Sequence, residues 1–174
     1  MPAVSALQKP VPDRPGDAIA LKKGELELEL WPSIGGGVAG FAWQQAGQRI
    51  ELMRRATPRA VLERDGRYLA SFPLFPFSNR IKDGRFPFGG RAVELVRNTP
   101  PDHPIHGHVW QRPSMAAAVS SSAAELVCSY PGGDWPWTYT ASQRFALAPD
   151  ALTVELEIRN DSYQPMRRGP PRMA

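Results

Sequence analysis

The sequence predicts an all-β protein, built as an antiparallel sandwich or barrel. Proline and glycine account for 19 and 15 of the 174 residues, a composition that implies many turns and few long helices. Several short segments alternate apolar and polar residues with a period of two. Turn signals separate them at intervals of about 8 to 12 residues, which is typical of sandwiches and barrels. No convincing helix and no internal repeat are predicted.

The first strands can be assigned in order along the chain. The segment GELELELW, residues 24–31, alternates leucine with glutamate and therefore has one buried and one solvated face. A glycine run at 35–37 forms a tight turn, since it has neither the Gly-Lys-Ser/Thr ending nor the following helix of a phosphate loop. VAGFAWQQ and RIELMR, joined by a turn at AGQ, then predict a β-meander.

The second half predicts a hairpin and three longer strands. RFPFGGRAVEL reads as two short strands that turn at Gly89 and Gly90. AELVCSY, TYTASQRFAL and ALTVELEIRN supply the other three. In the last of them one face is apolar and the other is polar, with Glu155 and Glu157 on the solvated face. The apolar face is made of Leu152, Val154, Leu156 and Ile158.

A chain of 174 residues is long enough for one domain. Residues 1–17, rich in Pro, Ser and Asp, are predicted to be a flexible lead-in. Residues 18–166 form the folded domain, and 167–174 an irregular, basic, Pro-rich tail. Because strand periodicity stops after Met166, we expect the sandwich to be incomplete and the chain truncated.

Charge and targeting signals narrow the possible partners. The net charge is +4, but the basic residues are dispersed with no Lys/Arg run longer than two, so nucleic-acid binding is not predicted. No stretch resembles a membrane helix or a secretory signal. The one cysteine, Cys128, is read as a buried, inert thiol. Together these features predict a cytoplasmic protein.

All three histidines, His103, His106 and His108, fall within six residues as H-x-x-H-x-H. In an extended segment the last two would point to one side and His103 to the other, so the three converge only at a bend. A metal site is one interpretation, because H-x-H can bind Zn or Fe. A cupin-like site would also need a glutamate a few residues after the H-x-H, and none occurs between His108 and Glu125. We therefore predict no metal and no cofactor.

A sugar pocket is the other interpretation. A sugar has an apolar face and a rim of hydroxyls, so its site combines aromatic surfaces, bidentate donors and neutral imidazoles. FPFSNRI and HGHVWQRP contain these residue types in Phe75, Phe77, Asn79, Arg80, His106, His108, Trp110, Gln111 and Arg112.

The ordered motifs S-N-R-I, H-G-H and W-P-W resemble the aldose 1-epimerase (galactose mutarotase) family. The likeness extends over most of residues 24–166, from SFPLFPFSNRIKDGRFPFGGR to LTVELEIRNDSYQPM. It implies a galactose mutarotase-like supersandwich, a large antiparallel β-sandwich that binds a free hexose in a groove on one sheet. It also implies an isomerase that interconverts the α and β anomers of an aldose by acid/base opening of the ring.

The resemblance assigns roles to individual residues. Arg80 and His106 would hold the ring oxygen and neighbouring hydroxyls, with Asn79 supporting them. The other substrate-binding residues would be His108, Trp110 and Phe77. The family's acid histidine and base glutamate lie further along its sequence, whereas no histidine follows His108 here. We therefore expect both groups to be absent and the isolated chain to be nearly inactive.

Three other functions stay open. A hexose-6-phosphate 1-epimerase-like protein would use extra arginines for the phosphate, and Arg85 and Arg112 are the candidates. A non-catalytic carbohydrate-binding protein would keep the pocket without turnover. An inert fragment would expose open sheet edges and aggregate.

Overall fold

The computed structural model describes residues 14–167 and the backbone of Arg172–Met173. Its strands follow in chain order as β1 (Ile19–Lys23), β2 (Leu26–Trp31), β3 (Gly37–Gln45), β4 (Gln48–Met53), β5 (Pro73–Leu74), β6 (Arg85–Phe88), β7 (Arg91–Glu94), β8 (Met115–Val119), β9 (Ala123–Tyr130), β10 (Tyr139–Leu147), β11 (Leu152–Asn160) and β12 (Arg172–Met173). Strand pairing is antiparallel throughout these elements, which confirms the predicted all-β class.

The first sheet is a meander with the order β1-β2-β3-β4. In β2 the leucines are buried and the glutamates between them are partly exposed, as the alternation predicts. Leu28 lies in the middle of the sheet, opposite Leu21 of β1 and Phe41 of β3. The glutamates face basic side chains instead, since Glu27 pairs with both Lys22 and Arg49.

The second sheet has the order β11-β10-β9-β8. Alternate residues of β10 are buried, and they face the buried residues of β9 in register, so that Tyr139 lies opposite Tyr130 and Ala141 opposite Cys128. The thiol of Cys128 is buried, and burial raises its pKa, in keeping with the inert role predicted for it.

The two large sheets pack against each other through an aliphatic core. Each buried aliphatic or aromatic side chain contributes roughly 1.5–3 kcal/mol to stability. The first sheet supplies Leu21, Leu26, Leu28, Leu30 and Val38, and the second supplies Ala124, Leu126, Phe145 and Leu147. A backbone hydrogen bond from Lys22 to the Ser121 carbonyl also ties β1 to the turn between β8 and β9.

A second, aromatic core lies beneath the loops that carry the histidines. It combines Phe75 and Phe77 from one loop and Val109 from another with residues of β9 and β10. Its remaining large side chains are Tyr130, Trp135, Trp137 and Tyr139. The hairpin of β6 and β7 packs on this core through Phe86, Phe88 and Val93, and it turns at Gly89 and Gly90 as predicted.

The prediction of no helix is wrong. A short α-helix, α1 (Pro58–Glu63), follows β4, and single 3-10 turns form at Gly66–Tyr68, Lys82–Gly84 and Val109–Gln111. Proline at the start of α1 pre-sets the backbone angle of a first helical turn, and a left-handed Arg64 ends it. An element of six residues with Ala60 as its buried residue shows too little apolar periodicity to be recognised in sequence.

Two strands of the large sheets were not predicted. In β1 only Leu21 is fully buried, so the alternation is too short to stand out. All five residues of β8, MAAAV, are exposed, and its hydrogen bonds to β9 define it instead of any apolar pattern. In β11 the apolar residues predicted to share a face are half-buried, while Glu155 and Glu157 are exposed as expected.

Most of the predicted flexible lead-in and of the irregular tail lies outside the described residues. Within the tail, Arg172–Met173 pairs with Pro73–Leu74, so this part is a short strand and not irregular. None of the helices in the described part of the chain has the length and apolar character needed to cross a membrane.

Replacing Gly107 by alanine should destabilise the protein far more than the same change at Gly47. Both glycines have positive φ, 66° and 80°. At Gly107 a Cβ would lie 1.6 Å from the Phe75 carbonyl oxygen, whereas at Gly47 it would meet open space. We expect Gly107→Ala to lower the free energy of unfolding by more than about 3 kcal/mol and Gly47→Ala by about 1 kcal/mol. Urea unfolding followed by tryptophan fluorescence measures both, and equal losses would contradict the close contact.

Candidate functional site

Two loops, residues 75–81 and 103–112, run side by side and carry most of the predicted site. A parallel bridge joins Phe75 to Gly107. The backbone N–H of His108 donates to the Phe75 carbonyl at 2.7 Å, and that of Ile81 donates to the Pro104 carbonyl at 3.0 Å. Arg80 and His106 therefore lie in loops and not in strands, and a few backbone hydrogen bonds hold the two loops together.

A left-handed bend sends His106 and His108 in different directions. His106 and Gly107 have φ of 64° and 66°. Two consecutive left-handed residues break the alternation that would place both imidazoles on one side. His106 turns towards Phe72 and Ser78, and His108 turns into the aromatic core.

The imidazole of His106 is held in one orientation. Its Nδ1 lies 3.0 Å from the Ser78 carbonyl oxygen, and its ring packs edge-on against Phe72 at 5.7 Å. A carbonyl only accepts hydrogen bonds, so Nδ1 carries the proton and Nε2 has a free lone pair in the neutral ring. Burial lowers the pKa of His106, and the positive charges of Arg80 and Arg67 lower it further, against the opposing effect of Ser78.

Asn79 and Arg80 are exposed at the tip of the first loop. The Asn79 side-chain oxygen accepts a hydrogen bond from the Arg80 backbone N–H at 2.7 Å, which fixes the turn. Within residues 14–167 the guanidinium of Arg80 has no ion pair or hydrogen bond. Its positive charge adds to burial in lowering the pKa of His106.

A cleft of about 380 Å³ opens beside Arg80. Its aromatic surfaces come from the first loop, from β6 and from the loop before β10, and they are Phe77, Phe86 and Trp135. Its cationic groups are Arg80 and Arg167, and no carboxylate lines it among the described residues. The guanidinium of Arg167 lies 5.0 Å from the centre of the Phe86 ring. The cleft thus joins flat apolar surfaces to hydrogen-bond donors.

His108 belongs to the core. Its ring stacks on Tyr130 and meets Phe77 edge-on, with ring centres 4.7 and 6.3 Å apart. Its Nε2 lies 3.4 Å from Oδ1 of Asp134. Burial lowers the pKa of His108 despite the Asp134 carboxylate, which also accepts a 2.9 Å hydrogen bond from the Tyr130 hydroxyl. The position of His108 therefore favours a packing role over the substrate contact predicted for it.

Trp110 is fully buried, and its indole N–H donates to the Gly107 carbonyl at 3.1 Å. The ring has no exposed surface for a sugar, so the expected direct contact is corrected to a supporting role beneath the bend. Phe77 does line the cleft, where it packs against Trp135 with ring centres 5.6 Å apart. Of the predicted aromatic contacts, only Phe77 lines the cleft, and it is itself buried, with 8% of the residue exposed.

The third histidine lies apart from the other two. The Nδ1 of His103 accepts a 3.0 Å hydrogen bond from the backbone N–H of Asp83 in a surface turn. The described residues contain no group of three His, Cys, Asp or Glu side chains that could hold a metal ion. The arginines suggested for a phosphate are also elsewhere, since Arg85 pairs with Glu94 on the hairpin and Arg112 lies over the Tyr130 ring.

Sequence reasoning missed four residues of this region: Arg67, Phe86, Trp135 and Arg167. Trp135 belongs to the W-P-W motif that carried part of the resemblance, so a role for it could have been inferred. Arg67 is separated from the FPLFPF run by four residues and shows no pattern that links it to a histidine nearly forty positions later. Only the fold brings it near His106.

The aldose 1-epimerase family model matches residues 17–169, nearly the whole described chain. This chain belongs to the aldose 1-epimerase family. The protein YphB of Escherichia coli K12, itself uncharacterised, is 30% identical over 150 residues, which are 86% of this chain and 48% of that protein.

Solved structures agree with this assignment. An Escherichia coli K12 structure provisionally assigned as an aldose 1-epimerase has a TM-score of 0.73 at 30% identity, over 83% of this chain and 46% of its own. A galactose mutarotase-like protein of Clostridium acetobutylicum has a TM-score of 0.72 at 19% identity, over 86% and 47%. The predicted galactose mutarotase-like fold is confirmed, and the chain spans about half the length of these relatives.

Acidification should destabilise this aldose 1-epimerase family member at pH values above the range in which its carboxylates titrate. His106 and His108 have pKa values below the ordinary 6.5, so between pH 7.5 and 5.5 the unfolded chain binds more protons than the folded one. The free energy of unfolding should therefore fall as pH falls, by at most about 1.4 kcal/mol per pH unit for each histidine. The lowered pKa values of Glu27, Asp134 and Asp161 act only at more acidic pH.

The variant His106→Asn isolates one of the two contributions. Asparagine tolerates the left-handed backbone at this position but does not titrate. Urea unfolding at pH 7.5, 6.5 and 5.5 should give a shallower pH dependence for the variant than for the wild type. Identical slopes would show that His106 is not protonated at a lowered pKa in the folded chain.

Proposed function

We propose that this chain binds a hexose and forms the sugar-positioning part of an aldose 1-epimerase site. The observation that supports this best is the combination of an oriented imidazole with a guanidinium that has no partner among the described residues. The carbonyl that fixes His106 belongs to Ser78, which lies two residues before Arg80 in the same loop. Family membership supports a sugar as the ligand class.

The two side chains suit different oxygens of a sugar. With its proton on Nδ1, neutral His106 can accept a hydrogen bond from a hydroxyl at Nε2 but cannot donate one there. Arg80 only donates, and the ring oxygen of a pyranose only accepts. We therefore assign the ring oxygen to Arg80 and a neighbouring hydroxyl to His106, with Asn79 holding the turn that presents Arg80.

The cleft complements the apolar face of the sugar. A pyranose ring stacks on flat aromatic surfaces through its C–H groups, and cation and hydroxyl contacts at the rim fix its orientation. Phe86, which is half-buried, provides such a surface next to Arg80, and the buried rings of Phe77 and Trp135 support it. Their packing against one another, at 5.6 to 5.7 Å between ring centres, keeps them in place without a ligand.

Complete mutarotation needs more than this arrangement. Ring opening removes the proton of the C1 hydroxyl and protonates the ring oxygen, which requires one base and one acid on opposite sides. His103 is engaged with Asp83 at the surface, and His108 is buried against Tyr130. Within the described residues no second imidazole joins His106, so we propose that the chain positions the sugar and does not turn it over by itself.

A hexose 6-phosphate is a second candidate ligand, supported by the charges of the cleft. Two guanidiniums, Arg80 and Arg167, line it without any carboxylate among the described residues. Arginine forms short, strong hydrogen bonds with phosphate oxygens. Arg80 and Arg167 thus replace Arg85 and Arg112 as the candidate phosphate-binding residues, because Arg85 pairs with Glu94 and Arg112 lies over the Tyr130 ring. A titration that compares D-glucose with D-glucose 6-phosphate separates the two candidates.

Sugar binding should depend on Arg80 and not on Arg85. We expect Arg80→Met to weaken D-glucose or D-galactose binding by at least about tenfold, because a charged hydrogen bond is lost. Arg85→Met, on the exposed β6–β7 hairpin, should bind within about twofold of the wild type. Saturation-transfer NMR titrations of the full chain measure the affinities. An Arg80→Met variant that binds as tightly as the wild type would exclude the proposed site.

Mutarotation by the isolated chain should be nearly absent. Losing a general acid or base typically removes about 10²- to 10⁴-fold of rate, and losing both leaves little above the spontaneous reaction. Polarimetry of freshly dissolved α-D-glucose and α-D-galactose at micromolar protein should match the buffer rate. Robust catalysis at that concentration would show that the chain contains a complete acid/base pair.

A further inference from the structure

Arg67 is held rigidly a short distance from the proposed site. Its guanidinium lies 5.1 Å from the centre of the Trp110 ring. Its Nε and Nη2 donate to both oxygens of Asp65, at 3.0 and 2.6 Å to Oδ2. Asp65 is itself buried, and its Oδ1 also accepts from the Arg67 backbone N–H at 2.8 Å. Side chain and backbone of Arg67 are thus fixed by the same carboxylate.

The backbone around Arg67 is fixed from a second direction. The side chain of Arg54 donates to the carbonyl oxygens of Arg67, Tyr68 and Leu69, with a distance of 3.1 Å to the first. A single 3-10 turn, which would otherwise be mobile, is therefore bound through three successive carbonyls. Such preorganisation lowers the entropy that a ligand contact must overcome.

Arg67 lies on the His106 side of the molecule. Trp110, beneath its guanidinium, donates to the carbonyl of Gly107, which directly follows His106. The Phe72 ring packs against both the Trp110 ring and the His106 ring, with ring centres 6.1 and 5.7 Å apart. The charge of Arg67 contributes with that of Arg80 to the lowered pKa of His106. His106 therefore has a guanidinium on each of two neighbouring elements.

One edge of this guanidinium is available. Within residues 14–167 no hydrogen bond involves Nη1 of Arg67, and the side chain is 45% exposed. An arginine whose other edge is bound to a carboxylate keeps two N–H donors in a defined plane at Nη1. This is the arrangement by which arginine recognises a ligand oxygen with low entropic cost.

We propose that Arg67 is a third sugar-binding residue, which donates from Nη1 to an oxygen of the same bound hexose that His106 and Arg80 contact. The inference rests on the proposed function, since it assigns one more contact in that site. Asp65 and Trp110 act through Arg67 as positioning residues. The sugar would then extend from the cleft beside Arg80 over the bend at His106, with a guanidinium at each end.

The chain contains a matched control for Arg67. Arg59 also pairs with a nearby carboxylate, Glu63, and lies 4.6 Å from the centre of an aromatic ring, that of Tyr68. Within the described residues no hydrogen bond or ring contact links Arg59 to Phe72, Trp110 or His106. Arg59→Met thus removes the same kinds of interaction as Arg67→Met at a place where no sugar is expected.

Titrations of the full chain with D-glucose and D-galactose test the inference. We expect Arg67→Met to weaken binding by at least about tenfold and Arg59→Met to change it by less than about twofold. If Arg67→Met does not fold, Arg67→Lys replaces it, because lysine can pair with Asp65 but lacks the second edge. The Arg67→Lys variant should also bind at least several-fold more weakly.

Monodeoxy sugars distinguish a direct contact from a structural effect. If Arg67 binds one sugar oxygen, the wild type should bind the monodeoxy glucose that lacks this oxygen more weakly than it binds glucose. The Arg67 variant has already lost this contact, so it should bind that monodeoxy glucose and glucose with similar affinity. If Arg67 has only a structural role, its substitution should weaken the binding of all these sugars by the same factor, which would overturn the inference. The inference would also be overturned if the Arg67 variant binds like the wild type while Arg80→Met binds more weakly. No saturable binding by the wild type would refute the proposed function and this inference together.

Discussion

The close approach of Gly107 to the Phe75 carbonyl is the constraint on which the site depends. At that point two loops without regular pairing come within contact distance, and the adjoining backbone hydrogen bond to His108 holds them there. Only glycine leaves room for the carbonyl at this position, and its left-handed conformation continues that of His106. The sheets supply the platform, but this contact sets where the imidazoles point.

The same bend places His106 and His108 in different environments, although they are only two residues apart in sequence. His106 contacts Ser78 and Phe72, while His108 stacks on Tyr130 and meets Phe77 edge-on. Burial lowers the pKa of both, so both rings are neutral near pH 7. A neutral imidazole can serve as an acceptor for a hydroxyl on the surface and as a polar packing residue in the core.

The strands with clear alternation could be predicted from sequence, because the period-two pattern marks them. That His106 and Arg80 serve one sugar site stays a prediction, which rests on motifs that resemble those of the family. β8 and α1 could not be predicted, because an exposed MAAAV strand and a six-residue helix lack apolar periodicity. The burial of Trp110 and the position of Arg67 could not be predicted either. Both depend on long-range packing, in which Gly66 leaves room for Trp110, since a Cβ at Gly66 would lie 2.7 Å from the Trp110 carbonyl oxygen.

The pairing of Trp135 with Trp137 has an optical consequence. Their indole rings lie 5.1 Å apart and cross at 64°, and Trp135 faces the cleft. Two chromophores at that separation and angle couple their electronic transitions, which gives a pair of circular dichroism bands of opposite sign. The folded chain therefore contains a built-in spectroscopic reporter at the edge of its cleft, without any label attached.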